Sequence, residues 1–202
     1  IGSTFFPTIF DLPYVILSAV HIVFLEMIID PTSTLVFEKE PIESGLMSKP
    51  PRKVSESLLD KKLFIISVLQ GISSLIAVIG TYVYIQFYVE NASLNPRLGT
   101  TSAFVTLIFT NLLLILVNRN WELTIFESLK MKNKALPFVI LGTLTVLFSA
   151  LFIPSLQKLF HFTSLSLGEI SICFLFSLAS IVWFEIAKII IRSKVSYIQT
   201  NS

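Results

Sequence analysis

Long apolar blocks, separated by short polar and charged segments, set the pattern of this chain. A helix needs roughly 20 apolar residues to cross a bilayer core of about 30 Å. Five stretches meet or approach that length: residues 12–37, 63–88, 101–117, 135–153 and 167–191. The third is the shortest, and Thr100 and Thr101 extend it at its start. Residues 1–11 begin IGSTFFPTIF, too short to span, and read as the end of a preceding helix and an outer turn. The opening carries no basic segment ahead of an apolar one, so no signal peptide is read there, and the start reads as a cut.

Composition agrees with the blocks. Hydrophobic residues make up 53% of the 202 and charged residues 14%, and the mean hydropathy is +0.80. A soluble domain carries about a quarter charged residues, because it needs polar surface all round. The 18 Phe residues suit contact with lipid. The expected fold is all-α and integral to the membrane, a bundle of five transmembrane helices with a short remnant of a preceding one. The single cysteine, Cys173, lies in an apolar run, cannot form an internal disulfide, and reads as buried packing.

The net charge of +2 is too small to suggest nucleic acid, so the distribution of charge matters more. If the five spans alternate, every Lys and Arg except Arg97 and Lys158 falls on one side. The positive-inside rule then puts residues 38–62, 118–134 and the C-terminus in the cytoplasm. The first span enters from outside, which implies an upstream element that carried the chain across.

That first span holds the unusual chemistry. Glu26 and Asp30 lie one turn apart in it, and Pro31 follows at once. Residues four apart share a helix face. A charged side chain at the bilayer centre costs at least about 2.5 kcal/mol, and two acids side by side repel unless a proton or cation joins them. Pro31 has no N–H to give the Met27 carbonyl, so the expectation is a helix broken at Pro31. Two carboxylates, freed carbonyls and the hydroxyls of Thr32, Ser33 and Thr34 are hard oxygen donors of the kind calcium and magnesium prefer. The plainer alternative is acids bonded to a neighbouring helix at a simple kink.

Other polar residues leave alternatives open. His21 can be a ligand, or a packing or water-contact residue. Asn111, in the third span, can offer a carbonyl oxygen to a cation or make an interhelical hydrogen bond. Gln70, Ser73 and Ser74, with Gly71 and Ala77 as small neighbours, read as helix packing. Glu185 and Lys188 read as a local ion pair. Trp121, Trp183 and Tyr197 read as interfacial anchors.

A basic loop follows the first span and contains MSKPPRK at residues 47–53. Together with the Asp-bearing, Pro-interrupted span before it, this pattern resembles the C-terminal membrane region of P-type cation-transporting ATPases, the family of the calcium pumps and sodium/potassium pumps. Met-x-Lys-Pro-Pro-Arg is the specific part, as is its distance from Asp30. The resemblance covers essentially the whole chain, with its sharp motifs in residues 12–53. By it, 12–202 is the C-terminal transmembrane domain, the spans correspond to the sixth to tenth helices, and residues 1–11 close the fifth.

The resemblance implies that Asp30 is the ion-binding Asp of the sixth helix. Glu26 falls where calcium pumps have Asn, and Asn111 falls near a Glu of the eighth helix in some of them. The family pattern Asn-x-x-Thr-Asp is replaced by Glu26-Met27-Ile28-Ile29-Asp30, so the Thr is lost to Ile29 and a carboxylate has moved between helices. This variation points to a bacterial branch and a bacterial plasma membrane. The transported cation is expected to be calcium, and the parent pump would need ATP and magnesium. The implied partners are the lipid bilayer, the remaining helices and the cytoplasmic phosphorylation domain. Lys49, Pro50, Pro51 and Arg52 would form a coupling loop against that domain, although a positive-inside flank explains them as well.

No catalytic residue is expected in the chain itself. The family phosphorylates an Asp in a DKTGT segment, and neither that segment nor a Gly-rich phosphate loop occurs here. The leading expectation is therefore the ion-binding part of an ATP-driven pump, unable to hydrolyse ATP alone. The alternative is a stand-alone, non-enzymatic membrane protein, a regulatory subunit or truncated relic. A passive channel comes third.

Overall fold

The structure, a computed structural model, describes residues 16–40, 61–89, 95, 97–119, 125 and 133–200, the side chains of 62, 63 and 189–200 excepted. All the regular structure among these residues is helical: α1 (Ala19–Glu38), α2 (Lys61–Tyr88), α3 (Arg97–Asn118), α4 (Ala135–Phe152), α5 (Pro154–Phe160) and α6 (Leu167–Thr200). All but α5 carry a segment long and apolar enough to cross a membrane. The protein is an integral membrane helix bundle, as its apolar blocks predict.

Helices α2, α3 and α6 pack on one another, and α3 is the hub, most of its span being buried. On the other flank of α3 lies α1, which also meets α4. Lipid-like surroundings supply little hydrophobic drive between helices, so close fit and interhelical hydrogen bonds hold such bundles. Both occur in the three-helix core. Thr106 donates to Thr81 Oγ1 at 3.1 Å, and Ser177 donates to the Thr106 carbonyl at 3.0 Å. Gln70 and Asn118 exchange amide hydrogen bonds at 3.1 and 3.3 Å. Buried Cys173 donates to the Ser102 carbonyl at 3.4 Å, in keeping with its reading as packing.

Close approach depends on two glycines that the sequence did not single out. A Cβ on Gly80 would stand 3.0 Å from the Phe176 ring, and one on Gly99 would stand 2.8 Å from Gln86 Oε1. Gly71, expected as a contact, has open space about it. Large apolar side chains such as Ile76, Phe138 and Leu175 point outward, where lipid would cover them.

Several expected boundaries move. Residues 16–18 are not helical, and α1 begins at Ala19 after Ser18, whose N–H goes to His21 Nδ1 at 3.3 Å. On α3 the helix starts at Arg97, and α6 runs past residue 191 to Thr200, because a helix does not end where its apolar run ends. An unexpected seven-residue helix, α5, has Pro154 in its first turn, where a missing N–H costs nothing. It closes on His161 in the left-handed conformation at φ 56°. Residues 1–15 and the loop motif at Lys49, Pro50, Pro51 and Arg52 lie outside the described residues, as does Trp121.

Candidate functional site

Helix α1 has two unlike faces. His21, Phe24, Ile28 and Val36 are buried against the bundle. Phe24 packs on Phe104 of α3 and Phe160 of α5, with ring centres 5.7 and 4.2 Å apart. The opposite stripe is open: Val23 and Met27 are 68% and 64% exposed, and Glu26, Asp30 and Thr34 are exposed with them. At 3.6 residues per turn, Glu26 and Asp30 are about 40° apart around the axis and about 6 Å apart along it. Both lie within about 4 Å of the midpoint of the helix. The structure thus brings the two acids together on a face that no described residue covers.

Pro31 does not interrupt the helix; the expected break is absent, and α1 continues through it for all 20 residues. Hydroxyls reinforce the turn around the lost hydrogen bond. Thr32 Oγ1 donates to the carbonyls of Ile28 and Ile29 at 2.7 and 2.9 Å, and Ser33 Oγ donates to the Asp30 carbonyl at 3.1 Å. Such back-bonding is how membrane helices tolerate proline. What Pro31 still removes is the amide that would bond the Met27 carbonyl. Met27 belongs to the same open stripe as the acids. Carboxylates, this carbonyl and the Thr34 hydroxyl form a set of hard oxygen donors on one surface. Among the described residues no group of three His, Cys, Asp or Glu side chains gathers, so further donors would come from elsewhere.

Asn111 stands apart from this set. Phe24 lies beside Phe104 and Glu40 beside Arg119, so α1 and α3 run in the same direction, with residues about 79 apart in sequence at one level. Asn111 is therefore level with Pro31 and Thr32. It shares the stripe of Phe104, Ile108 and Ile115, which faces the packed side of α1 and not the acids.

His21 is no ligand in this arrangement. It is 2% exposed, stacks on Phe162 at 4.8 Å, and its Nε2 bonds the Phe160 carbonyl at 2.7 Å. Since Nδ1 accepts from Ser18 N–H, Nε2 carries the proton and donates it. The residue ties the start of α1 to the end of α5.

At the other end of α1 the structure adds a cluster that the sequence reading missed. Arg119 grips Glu40 with two hydrogen bonds of 2.9 Å, Nε to Oε2 and Nη2 to Oε1. Asn133 Nδ2 donates to Glu40 Oε2 at 2.8 Å and to the Val36 carbonyl at 3.0 Å. Beyond it, Glu185 and Lys188 form the expected ion pair at 3.3 Å, and Lys188 also donates to the Val117 carbonyl at 2.6 Å. Trp183, half-buried near the end of the last span, donates to Ser73 Oγ of α2 at 2.9 Å.

The chain is similar to known proteins over nearly its whole length. The family described as "Cation transporting ATPase, C-terminus" matches residues 14–190. "Calcium-transporting ATPase type 2C member 1" of Mus musculus is 31% identical over 180 residues, 88% of this chain and 19% of that protein. "Calcium-transporting ATPase type 2C member 2" of Homo sapiens is 29% identical over 177 residues, covering 87% of this chain and 18% of that protein. "Calcium-transporting ATPase 1" of Saccharomyces cerevisiae is 27% identical over 191 residues, 93% of this chain and 19% of that protein. The chain thus spans about a fifth of the length of the curated relatives it matches.

Proposed function

The chain belongs to the cation-transporting ATPases, as the C-terminal membrane region of that family, and from that premise we propose that the open face of α1 supplies part of a cation site in an ATP-driven pump, with calcium as the ion carried. The observation that carries this reading is the exposure of Glu26 and Asp30 on one mid-helix stripe. Lipid cannot cover two ionised carboxylates cheaply, since each costs at least about 2.5 kcal/mol at the bilayer centre. A cation between them removes their repulsion, and further helices of the pump would seal the face and add donors. The names of the relatives support calcium.

Asp30 and Glu26 act as ligands in this reading, and the Met27 carbonyl freed by Pro31 lies between them. Asn111, on the packed side of α3, is not part of the open donor set, and no hydrogen bond to another helix is formed by it among the described residues. The bundle sits with residues 38–62, 118–134 and the C-terminus in the cytoplasm, a reading that rests on the distribution of Lys and Arg. The segment holding Lys49, Pro50, Pro51 and Arg52 then faces the phosphorylation domain. The reading of a bacterial plasma membrane rests on the altered pattern at Glu26, Ile29 and Asn111.

The test is calcium-dependent phosphorylation from ATP by the full-length protein. Asp30→Asn should raise the half-saturating calcium concentration by about a hundredfold or more, as loss of a charged ligand implies. An unchanged concentration would remove Asp30 from the site.

A further inference from the structure

Among the described residues, the hydrogen bonds from α1 to other elements lie only at its two ends. At one end His21 holds the Phe160 carbonyl. At the other, Glu40 is held by Arg119 of the α3 terminus and by Asn133 at the start of α4. Between them the packed face is apolar, with Phe24 and Ile28 against the bundle. Interdigitated apolar side chains fix part of the rotation of a helix. The two polar ends add the directional constraints on the rotation and level of α1, and with them on the direction of Glu26 and Asp30.

The Glu40 end is the stronger fastening. The Arg119 side chain is fully buried, and its planar fork meets both carboxylate oxygens, a geometry that fixes direction as well as distance. Asn133 adds a second constraint. The Glu40 N–H turns back to the Phe37 carbonyl at 3.3 Å, and Asn133 takes the Val36 carbonyl. The Asn133 Oδ1 meanwhile accepts from the Ala135 N–H at 2.9 Å, at the first turn of α4. Three helices are joined at one carboxylate. In sequence, Glu40 leads directly into the 41–60 segment that carries the Lys-Pro-Pro-Arg motif.

We propose that Arg119, with Asn133, is a positioning residue for the cation site, acting through Glu40 to hold Glu26 and Asp30 on the open face of α1. This rests on the reading of that face as a cation site. In the full-length protein, Arg119→Gln and Glu40→Gln should each raise the half-saturating calcium concentration for phosphorylation about tenfold, the usual scale for outer-shell partners of a metal site. The maximal phosphorylation per folded molecule should stay near wild type. The double variant should be no weaker than the worse single, because both remove one joint. Arg119→Lys, which keeps the charge and loses the fork, should fall between, and it supplies the same test if Arg119→Gln does not accumulate. Half-saturation at the wild-type concentration in these variants would overturn the proposal, as would a loss confined to the amount of folded protein. Asp30→Asn measured in parallel separates the two readings. If it shifts half-saturation and the Arg119 and Glu40 variants do not, only the positioning role falls. If Asp30→Asn shifts nothing, the cation site itself falls, and the positioning role with it.

Discussion

Glu26, Asp30 and His21 show how differently polar residues behave within one apolar helix. The acids face outward and His21 faces inward, where Phe162, Phe160 and Ser18 account for its ring face and both nitrogens. His21→Phe keeps the stacking and strands the Phe160 carbonyl. It should lower the thermal stability of the membrane domain by about 1–2 kcal/mol without altering calcium affinity more than a few-fold, measured by denaturation in detergent and by calcium titration. The acids were legible in the sequence because a charge inside an apolar run has no cheap structural explanation. The pairing of Arg119 with Glu40 was not. The two are 79 residues apart, and each lies at a span end, where charges are ordinary. Only the parallel course of α1 and α3 brings them together.

At the scale of the element, α1 is defined by Pro31. The sequence implied a helix broken there, but the helix tolerates one missing amide, and the hydroxyls of Thr32 and Ser33 reinforce the neighbouring carbonyls while that of Met27 stays without a donor from Pro31. Pro31→Ala restores a donor to the Met27 carbonyl. It should raise thermal stability, by up to about 3 kcal/mol, since that is what an interior proline costs. It should also weaken calcium binding, because the carbonyl is then occupied within the helix. Higher stability with unchanged calcium affinity would show that the Met27 carbonyl is not a ligand. Block length predicted α2 and α4 to within a few residues, whereas α5 escaped because seven residues carry no block of their own.

For the whole molecule, the five-span bundle was readable from hydropathy alone, while the grouping of helices was not. Every span is apolar, so composition cannot tell the buried hub α3 from its lipid-facing neighbours. The distinction lies in small and hydroxyl residues, such as Gly99, Ser102 and Thr106, that let α3 approach others closely. Gly99 makes this testable. A methyl there meets Gln86 Oε1 at 2.8 Å and the Tyr82 ring at 3.2 Å. Gly99→Ala should unfold at a lower temperature than Gly71→Ala, whose added methyl meets open space and gains helix propensity. Equal stability of the two variants would mean that α2 and α3 are not in close contact there.

We propose that the open face of α1 binds a cation through Glu26 and Asp30. Equilibrium binding of calcium to the purified full-length protein, without ATP, tests it most directly. Wild-type protein should bind calcium with a saturable high-affinity component. The double variant Glu26→Gln with Asp30→Asn should lose it, at an unchanged content of folded protein. Undiminished high-affinity binding in that variant would remove the cation site from this face and leave the two acids as a contact between helices.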